Sequence, residues 1–578
     1  MGNHSTSKSL PLLTLHLIIL LSFPLVKPGS SCHPTDKQAL LEFKKMITDD
    51  PSHLLETWRP NNDCCDEFKG VSCDRKTGRV DGLVLIIDGD PDNFTMSGKL
   101  SPFLGNLTSL RQLDISNFKY LSGPIPTELG RLAHLTYVFL KENNLTGPIP
   151  ATFRNLTCLQ RLILDNNFLS GQIPSDLFIG MTSLTDLGLS SNAFSGPIPP
   201  SVGKLASLAS LNLYGNNFSG NLPETIGKLR NLMYANFSSN QMTGKIPESI
   251  SRLHLLAALY LDNNSFTGEI PFSIGQLRSL SLGNLKKLQR LNLASNQLSG
   301  PIPYEFLNLK LLQILDMSFN PLGLNKFPDW LKSLSLYELR LASTGLEGEL
   351  PNSLSSFSSL YVLDLSSNSL KGKLPSWIGN MTNLSYLNLS NNHFDSSVPV
   401  EFKNLVSLTY LDLHSNSLSG NLNAFFEKQS QHLHGLYSSI NLSNNMFRGP
   451  IDDDIGDKPV MKEVETLILS GNPLGGKIPT SLGKLRYLRR LEMEKNGLIG
   501  GIPKSLGNAN RLEAILLSVN ELSGGIPKEV LNLEHLNSFN VSYNRLSGKI
   551  PAHKVHIPAS AFEGNAGLCG EPLPPCKK

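Results

Sequence analysis

The chain has 578 residues, a formal net charge of +3 and only 17% charged residues, so its charge balance gives no reason to expect a nucleic-acid partner. Length alone would suggest several domains. A strict internal period overrules that, because one short pattern recurs from near the start of the chain to its end.

The chain opens on a lone lysine, Lys8, an apolar run from Leu10 to Val26, and the small residues Gly29, Ser30 and Ser31 before Cys32. Residues 1–31 are therefore expected to be a secretory signal removed near Cys32. The alternative, a signal anchor kept in the membrane, is opposed by two prolines in the run and by the small residues after it.

Residues 32–78 form a segment of different composition. Leu40, Leu41, Phe43 and Ile47 have helical spacing, which predicts a short amphipathic helix capped near Thr35 or Asp36. Four cysteines follow the same stretch. Vicinal Cys64 and Cys65 are poorly placed to bond each other, so Cys32–Cys64 with Cys65–Cys73 is the simplest pairing. Zinc is the alternative, and an oxidising secretory route favours disulfides. Such a segment would cover the exposed apolar end of whatever follows.

Residues 79–548 carry the repeat. In Leu208–Pro223, LASLNLYGNNFSGNLP, the pattern LxxLxLxxNxLxGxxP is complete. Its asparagine recurs at 143, 167, 192, 216, 240, 264, 296, 320, 368, 392, 416, 445, 472, 496, 520 and 544, with Thr344 in the one gap, and most steps are 24 residues. A fixed period with alternating leucines and an asparagine is the signature of a leucine-rich repeat solenoid. Leu211 and Leu213 alternate with Asn212, so each repeat should supply a short strand with two leucines inward. Neighbours must stack to bury that face, giving an α/β solenoid of about nineteen repeats with a curved parallel sheet on its concave side. Asn216 should bond backbone of its own and the adjacent repeat, so that stacking builds a ladder. The tracts Gly147–Pro150, Gly244–Pro247 and Gly525–Pro527 put glycine and proline where the chain must turn and run extended on the outer side.

Three steps are irregular. Asn264 to Asn296 is 32 residues, the excess lying around Ser273 to Leu288, and steps of 29 and 27 bracket Asn445, with Asp452, Asp453 and Asp454 between. All three are expected to be bulged loops. Residues 549–578 close the other end, with Cys569 and Cys576 left to pair. Cys158 is the odd cysteine, expected to be a buried unpaired thiol. After the signal the sequence shows no apolar span of membrane length, no kinase motif and no lipid-anchor tail, which favours a soluble, secreted protein of the extracellular space or cell wall.

Cys32, Pro34, Asp36, Lys37, Leu40 and Leu41, with Trp58, the Cys64-Cys65 pair and Gly70-Val71-x-Cys73, resemble the N-terminal cap of plant extracellular leucine-rich repeat proteins. The LxGxIP tracts resemble the plant-specific repeat subtype, and GNAGLCGEPLPPC the C-terminal cap of the same family. The likeness divides between the polygalacturonase-inhibiting proteins, which have about half as many repeats, and the ectodomains of leucine-rich repeat receptor-like proteins and kinases. It implies recognition of an extracellular protein or peptide, such as a polygalacturonase or a receptor kinase.

No enzyme chemistry emerges. Gly471 to Lys477 has phosphate-loop spacing, but Ile478 follows and the repeat already explains every residue. The thirteen histidines form no metal spacing, and Asp364 and Asp412 sit where aspartate is common, so no catalytic group, metal or cofactor is expected. Acceptor sequons for N-glycans begin at Asn93, Asn106, Asn144, Asn155, Asn217, Asn236, Asn263, Asn380, Asn383, Asn388, Asn441 and Asn540. Asn236, Asn388, Asn441 and Asn540 lie between two inward hydrophobics and should face the concave sheet, closing those patches to a protein partner if they carry sugar.

The remaining concave positions are the candidate binding surface. Tyr137, Phe139, Lys141, Arg161 and Asp165 form one group near the N-terminal end. Tyr337, Tyr361, Tyr386 and Tyr410, on consecutive repeats with Glu338, Arg340 and His414, form a second, and stacked tyrosines suit hot spots. A third group, Arg489, Arg490, Glu492, Glu494 and Lys495, also reads as a solvated face.

Overall fold

A computed structural model of the chain describes residues 31–85, 96–275, 285–428, 435–553 and 556–576. The expected signal, apart from Ser31, and the acceptor Asn93 lie outside the described residues, as do residues 276–284 of the longest repeat.

Each repeat contributes one strand of three or so residues. In Ser210–Asn212, Leu211 is buried and its neighbours face the solvent side, while Leu213 follows it into the core. Twenty strands build one open sheet, nineteen of them parallel from Val80–Leu85 to Ser538–Asn540, with Val71–Cys73 added antiparallel at the N-terminal end. Register is exact from repeat to repeat, as in Leu187, Leu211, Ala235 and Leu259, so the inward residues stack in columns. The far side of most repeats is a single 3-10 turn entered through proline, such as Glu224–Lys228 after Pro223, with one turn of α-helix at Asn423–Phe426 and at Lys528–Leu531. Five residues between a proline and the next buried leucine leave no room for more.

The asparagine ladder carries the stacking. Asn216 Nδ2 donates to Leu189 O of the preceding repeat (2.9 Å) and Leu213 O of its own (3.2 Å), and its Oδ1 accepts the Phe194 N–H at 3.0 Å. One buried side chain thus satisfies three backbone groups that the turns leave without ladder partners. The pattern continues past Asn544 into the C-terminal cap, where Asn565 bonds Val541 O, Phe562 O and the Leu546 N–H. The cap is a shortened repeat.

The LxGx tract forms a second parallel ladder on the opposite edge, exemplified by Asn217–Asn221 pairing with Gln241–Gly244. Gly220, at φ +73°, supplies a backbone conformation that L residues avoid. This ladder is broken twice into runs of ten, five and four strands. Both breaks fall on an Asn-Pro pair, Asn320-Pro321 and Asn472-Pro473. Ser369 and Glu521, at the position of those prolines, donate their N–H groups to Leu346 O and Leu498 O. Proline has no N–H to give. The same turn removes the usual donor to position 344. Leu322 N–H is diverted to Asn320 O, and the Thr344 hydroxyl reaches Leu341 O at 2.8 Å; after the matching turn at Pro473, Asn496 Oδ1 accepts the Asn472 N–H instead.

The three long steps are absorbed away from the concave sheet. Ala258–Tyr260 pairs directly with Arg290–Asn292 and Tyr410–Asp412 with Ser439–Asn441, as if no residues had been added. Within the second excursion Lys428 is buried, with Nζ 2.5 Å from Leu408 O and 4.0 Å over the ring of the fully buried Tyr437.

At the N-terminal end the helix runs Pro34–Lys45. Its N-cap is His33, which makes no side-chain capping bond, and not Thr35 or Asp36. Pro34 begins the helix, and Asp36 is drawn elsewhere. Its carboxylate, fully buried, accepts from Arg79 Nε and Nη2 and from the Val80 N–H, all at 2.8 Å, and so ties helix to first strand. Trp58 stacks on Phe68 at 5.3 Å and donates to Lys69 O. Disulfides join Cys32 to Cys64, Cys65 to Cys73 and Cys569 to Cys576. Cys158, expected to be buried, is exposed. It occupies the turn between buried Leu156 and Leu159, the place of exposed His134 in the repeat before, so the inward positions fall on either side of it.

One backbone feature is costly. The residue before each ladder asparagine has positive φ and is usually Ser, Asn or Gly, yet position 519 holds a valine at φ 56°, 43% exposed. β-Branched residues are disfavoured there by roughly 1–2 kcal/mol. Val519→Asn is expected to raise the stability of the C-terminal repeats by about 1 kcal/mol, checked by hydrogen exchange of the 514–546 amides.

Candidate ligand-binding face

Along each concave strand two positions face out, one before and one after the central inward residue. The second is most often Asp or Asn, and the turn explains it. Asp364 Oδ1 accepts the Ser366 N–H (3.0 Å) and hydroxyl (2.7 Å), and Asn388 does the same for Ser390. Aspartate at this position ties down the turn that ends the strand, as Asp364 does through Ser366 and Asp412 through the His414 N–H.

The N-terminal group is partly assembled. Tyr137 and Phe139 lie on one strand with rings parallel at 6.2 Å, and Arg161 pairs with Asp186 at 3.3 Å. Lys141 is within 3.4 Å of Glu142. Asp165 is turned along the sheet to accept the Ser190 N–H at 2.7 Å and the Ser190 hydroxyl, so it braces the next repeat more than it offers a contact. Gly188 makes room for it, since a Cβ there would lie 2.3 Å from Asp165 Oδ2.

The four tyrosines of the second group are not one row. Register aligns Glu338, Val362, Tyr386 and Tyr410, and places Tyr337 and Tyr361 one residue earlier at the rim of the sheet. They form two stacked pairs, Tyr337–Tyr361 at 5.0 Å and Tyr386–Tyr410 at 4.3 Å. A one-residue offset along a strand changes which surface a side chain joins. Arg340 unites the inner set: its guanidinium lies 4.9 Å over Tyr386, 2.5 Å from Glu338 and 3.8 Å from Asp364. Tyr386 is therefore held between Arg340 and Tyr410. His414 Nδ1 lies 2.6 Å from Asp412 and its Nε2 3.1 Å from Asn391 Nδ2. In the third group Arg490 pairs with Glu492, and Arg489 with Glu513 of the next repeat at 2.6 Å, so both arginines are engaged.

Four residues missed in the sequence belong to this face: Tyr234, Tyr260, Asp262 and Asp316. Tyr234 and Tyr260 lie 5.8 Å apart with rings tilted by 52°, and Asn236 Nδ2 donates to the Tyr234 hydroxyl. Burial pushes the carboxyl of Asp316 up to about 6, with the Ser318 N–H and Arg340 pulling the other way. Asp262 is pushed up to about 6 as well, by burial first and by the charge of Asp316 in addition. Tyr234 shares the register position of Tyr386, Tyr260 and Asp316 share that of Arg340, and Asp262 that of Asp165 and His414, so the strand register carries the signal for all four.

These shifts set a pH dependence. A carboxyl with a folded pKa raised from 3.8 to about 6 stabilises the fold fully below 3.8 and loses that contribution as pH rises through 6. Asp262→Asn is therefore expected to stabilise the protein by on the order of 1–2 kcal/mol at pH 7.5, with the gain fading towards pH 4.5. Denaturant midpoints of both forms across that range check it, and a constant gap would contradict it.

Of the acceptor asparagines, Asn155, Asn217, Asn263, Asn380 and Asn383 are exposed. Asn236, Asn388, Asn441 and Asn540 are half-buried on the concave strands, each with Oδ1 held by the N–H two residues on. Among the described residues no helix is long and apolar enough to cross a membrane.

The family model described as Leucine rich repeat N-terminal domain matches residues 33–74. Two repeat models match elsewhere, one at 133–194, 334–394 and 358–418, the other at 207–229, 256–277, 287–309 and 463–485. The chain is similar to a polygalacturonase inhibitor of Vitis vinifera, 32% identical over 127 residues that make up 22% of this chain and 35% of the inhibitor. Matches of this kind span about a third of the length of the curated relatives. Among solved structures it is similar to the ectodomain of the Arabidopsis thaliana receptor kinase GASSHO1/SCHENGEN3 in complex with CASPARIAN STRIP INTEGRITY FACTOR 2, with TM-score 0.73, 32% identity, and 92% of this chain and 66% of that one covered. It is also similar to the Arabidopsis receptor kinase HAESA in complex with the peptide hormone IDA and the co-receptor SERK1, with TM-score 0.62, 31% identity, and 93% and 98% covered.

Proposed function

The chain belongs to the plant extracellular leucine-rich repeat proteins, and from that premise we propose that it recognises an extracellular protein or peptide on its concave face and acts as a receptor-like binding module. The observation that supports this reading is the Arg340–Tyr386–Tyr410 stack. An arginine and two tyrosines, the side chains most often found at binding hot spots, are held rigid on an unpartnered sheet by Glu338 and Asp364. No rung of the solenoid needs them, since stacking is supplied by the buried leucines and the asparagines beneath. The HAESA ectodomain, similar to this chain in structure, was solved with a peptide hormone.

A second reading, inhibition of a microbial polygalacturonase, is favoured by the similarity to the grape inhibitor. One experiment separates the two. The full chain, expressed with its own signal in plant cells, is immobilised and probed with synthetic secreted-peptide candidates and with fungal polygalacturonases. Saturable peptide binding that falls about thirtyfold in Tyr386→Ala, at unchanged melting temperature, is the expected result. Inhibition of a polygalacturonase without peptide binding would favour the second reading, and binding untouched by Tyr386→Ala and Arg340→Ala would defeat the first.

A further inference from the structure

Two features of the concave face that do not depend on each other mark the same stretch of it. The first is where sugar can be attached. Asn236 and Asn388 are acceptors at the outward position after the central inward residue. Between them the aligned positions are Tyr260, Asn292, Asp316, Arg340 and Asp364, and none begins a sequon. Asn292 comes within one hydroxyl of doing so, being followed by Leu293 and Ala294 where Asn236 and Asn388 are followed by a serine two residues on. Six strand spacings of about 4.8 Å make this stretch, free of acceptors at the outward strand position, roughly 29 Å wide; the exposed acceptor Asn263 lies in the turn at its margin, its Nδ2 3.1 Å from Asp262 Oδ2.

The second feature is charge. The window presents Asp262, Asp316, Glu338 and Asp364 against Arg290 and Arg340, on a chain whose overall charge is +3. Arg340 is already committed to Glu338 and Asp364. Asp262 and Asp316 make no ion pair among the described residues, and Asp262 Oδ1 is buried without a hydrogen-bond partner. Asp262 lies on the repeat of Tyr260, whose ring and that of Tyr234 are amphipathic surfaces on which the stem of a long cationic side chain can lie. An unpartnered sheet face with uncompensated negative charge selects a partner of opposite sign.

We propose that the window between Asn236 and Asn388 seats an extended peptide segment bearing arginine or lysine, its cation entering beside Asp262 and Asp316. The assignment rests on the reading of the concave face as the ligand-binding surface, and it adds the chemistry of the ligand and the limits of its footprint. Glycans on Asn236 and Asn388 frame the site, and Tyr386 and Tyr410 lie at its C-terminal edge.

The test uses the full-length glycosylated chain and a random twelve-residue peptide library displayed on phage. Three kinds of variant are compared. Asp262→Asn with Asp316→Ala removes the charge. Ala294→Ser completes a sequon at Asn292, and Asp316→Asn creates another with Ser318, so each places a glycan inside the window on a turn whose Asx bond is already formed, Ala294 N–H to Asn292 Oδ1 at 3.0 Å and Ser318 N–H to Asp316 Oδ1 at 2.9 Å. Glu492→Gln, in the distant third group, is the control. Melting temperature and glycopeptide mass are recorded for every form. Selection on the native chain should enrich arginine and lysine, and a selected peptide should lose at least tenfold in affinity in the charge variant and in either glycan variant, and nothing in the control. Enrichment of acidic or neutral peptides, or binding that survives charge removal but not the glycans, would overturn the cationic ligand while sparing the concave site. Binding that survives both occupied glycans would remove the concave site itself. No enrichment on the native chain would overturn the peptide assignment.

Discussion

Asn216→Ala is expected to lower stability by about 2–3 kcal/mol, although all of the side chain's hydrogen bonds go to backbone. It would leave the Phe194 N–H unpaired in a buried turn, at about 1–3 kcal/mol, and reduce Leu189 O and Leu213 O to the bonds they keep from Asn192 and Asn240. Because a solenoid is held by nearest-neighbour interfaces, the loss should be local first. Hydrogen exchange should accelerate in the three repeats around residue 216 before the ends of the molecule respond. Asn216→Asp keeps the acceptor but sets a buried carboxyl against two carbonyl oxygens, so it should cost at least as much as alanine. A uniform loss of protection along the chain would show that the rungs do not act one by one.

Asp36→Ala should cost about 2–3 kcal/mol in the N-terminal cap, the range for losing hydrogen bonds to a charged group and leaving the buried Val80 N–H unpaired. Three bonds to Arg79 and Val80 disappear together, and the helix Pro34–Lys45 loses its tie to the first strand of the sheet. Arg79 retains Thr108 Oγ1 at 2.8 Å and is partly exposed, so the charge left behind is not itself trapped. Limited proteolysis should open the segment between residues 33 and 85 while the central repeats remain intact. With the disulfides Cys32–Cys64 and Cys65–Cys73 still closed, cleaved fragments should stay linked until reduced. If Asp36→Ala is as resistant as the native chain, the disulfides and the Trp58 stack carry the cap without the ion pair.

The spacing of one asparagine announced the solenoid, because a residue that must satisfy three backbone groups at a fixed place in every turn cannot drift. Local chemistry hid the remainder. Thr344 stands out in the sequence, yet the donor its position usually meets lies in another repeat, where Pro321 redirects the Leu322 N–H. Tyr337, Tyr361, Tyr386 and Tyr410 look equivalent at a spacing near 24, and a shift of one residue between the second and third divides them between the rim and the inner face. Asp165 and Asp364 look like free acids on a binding surface, and both are bonded to serines of the turns. Cys158 follows the general habit of free thiols only in composition, since its place in the turn decides its exposure. What a strand position offers to a ligand depends on which of its polar atoms the backbone has already taken, and that is written in three dimensions.

The two Asn-Pro steps have a mechanical meaning. A ribbon laced along both margins resists flexing far better than one laced along a single margin. At Pro321 and Pro473 the outer lacing to the preceding repeat is missing while the inner sheet runs on unbroken. Curvature should therefore yield at these joints before it yields anywhere else, and the first lies between Asn292 and Asp316, inside the acidic window. The surface that grips a ligand is thus hinged beneath the grip, and the molecule can tighten or relax its arc there without breaking a rung of the inner sheet.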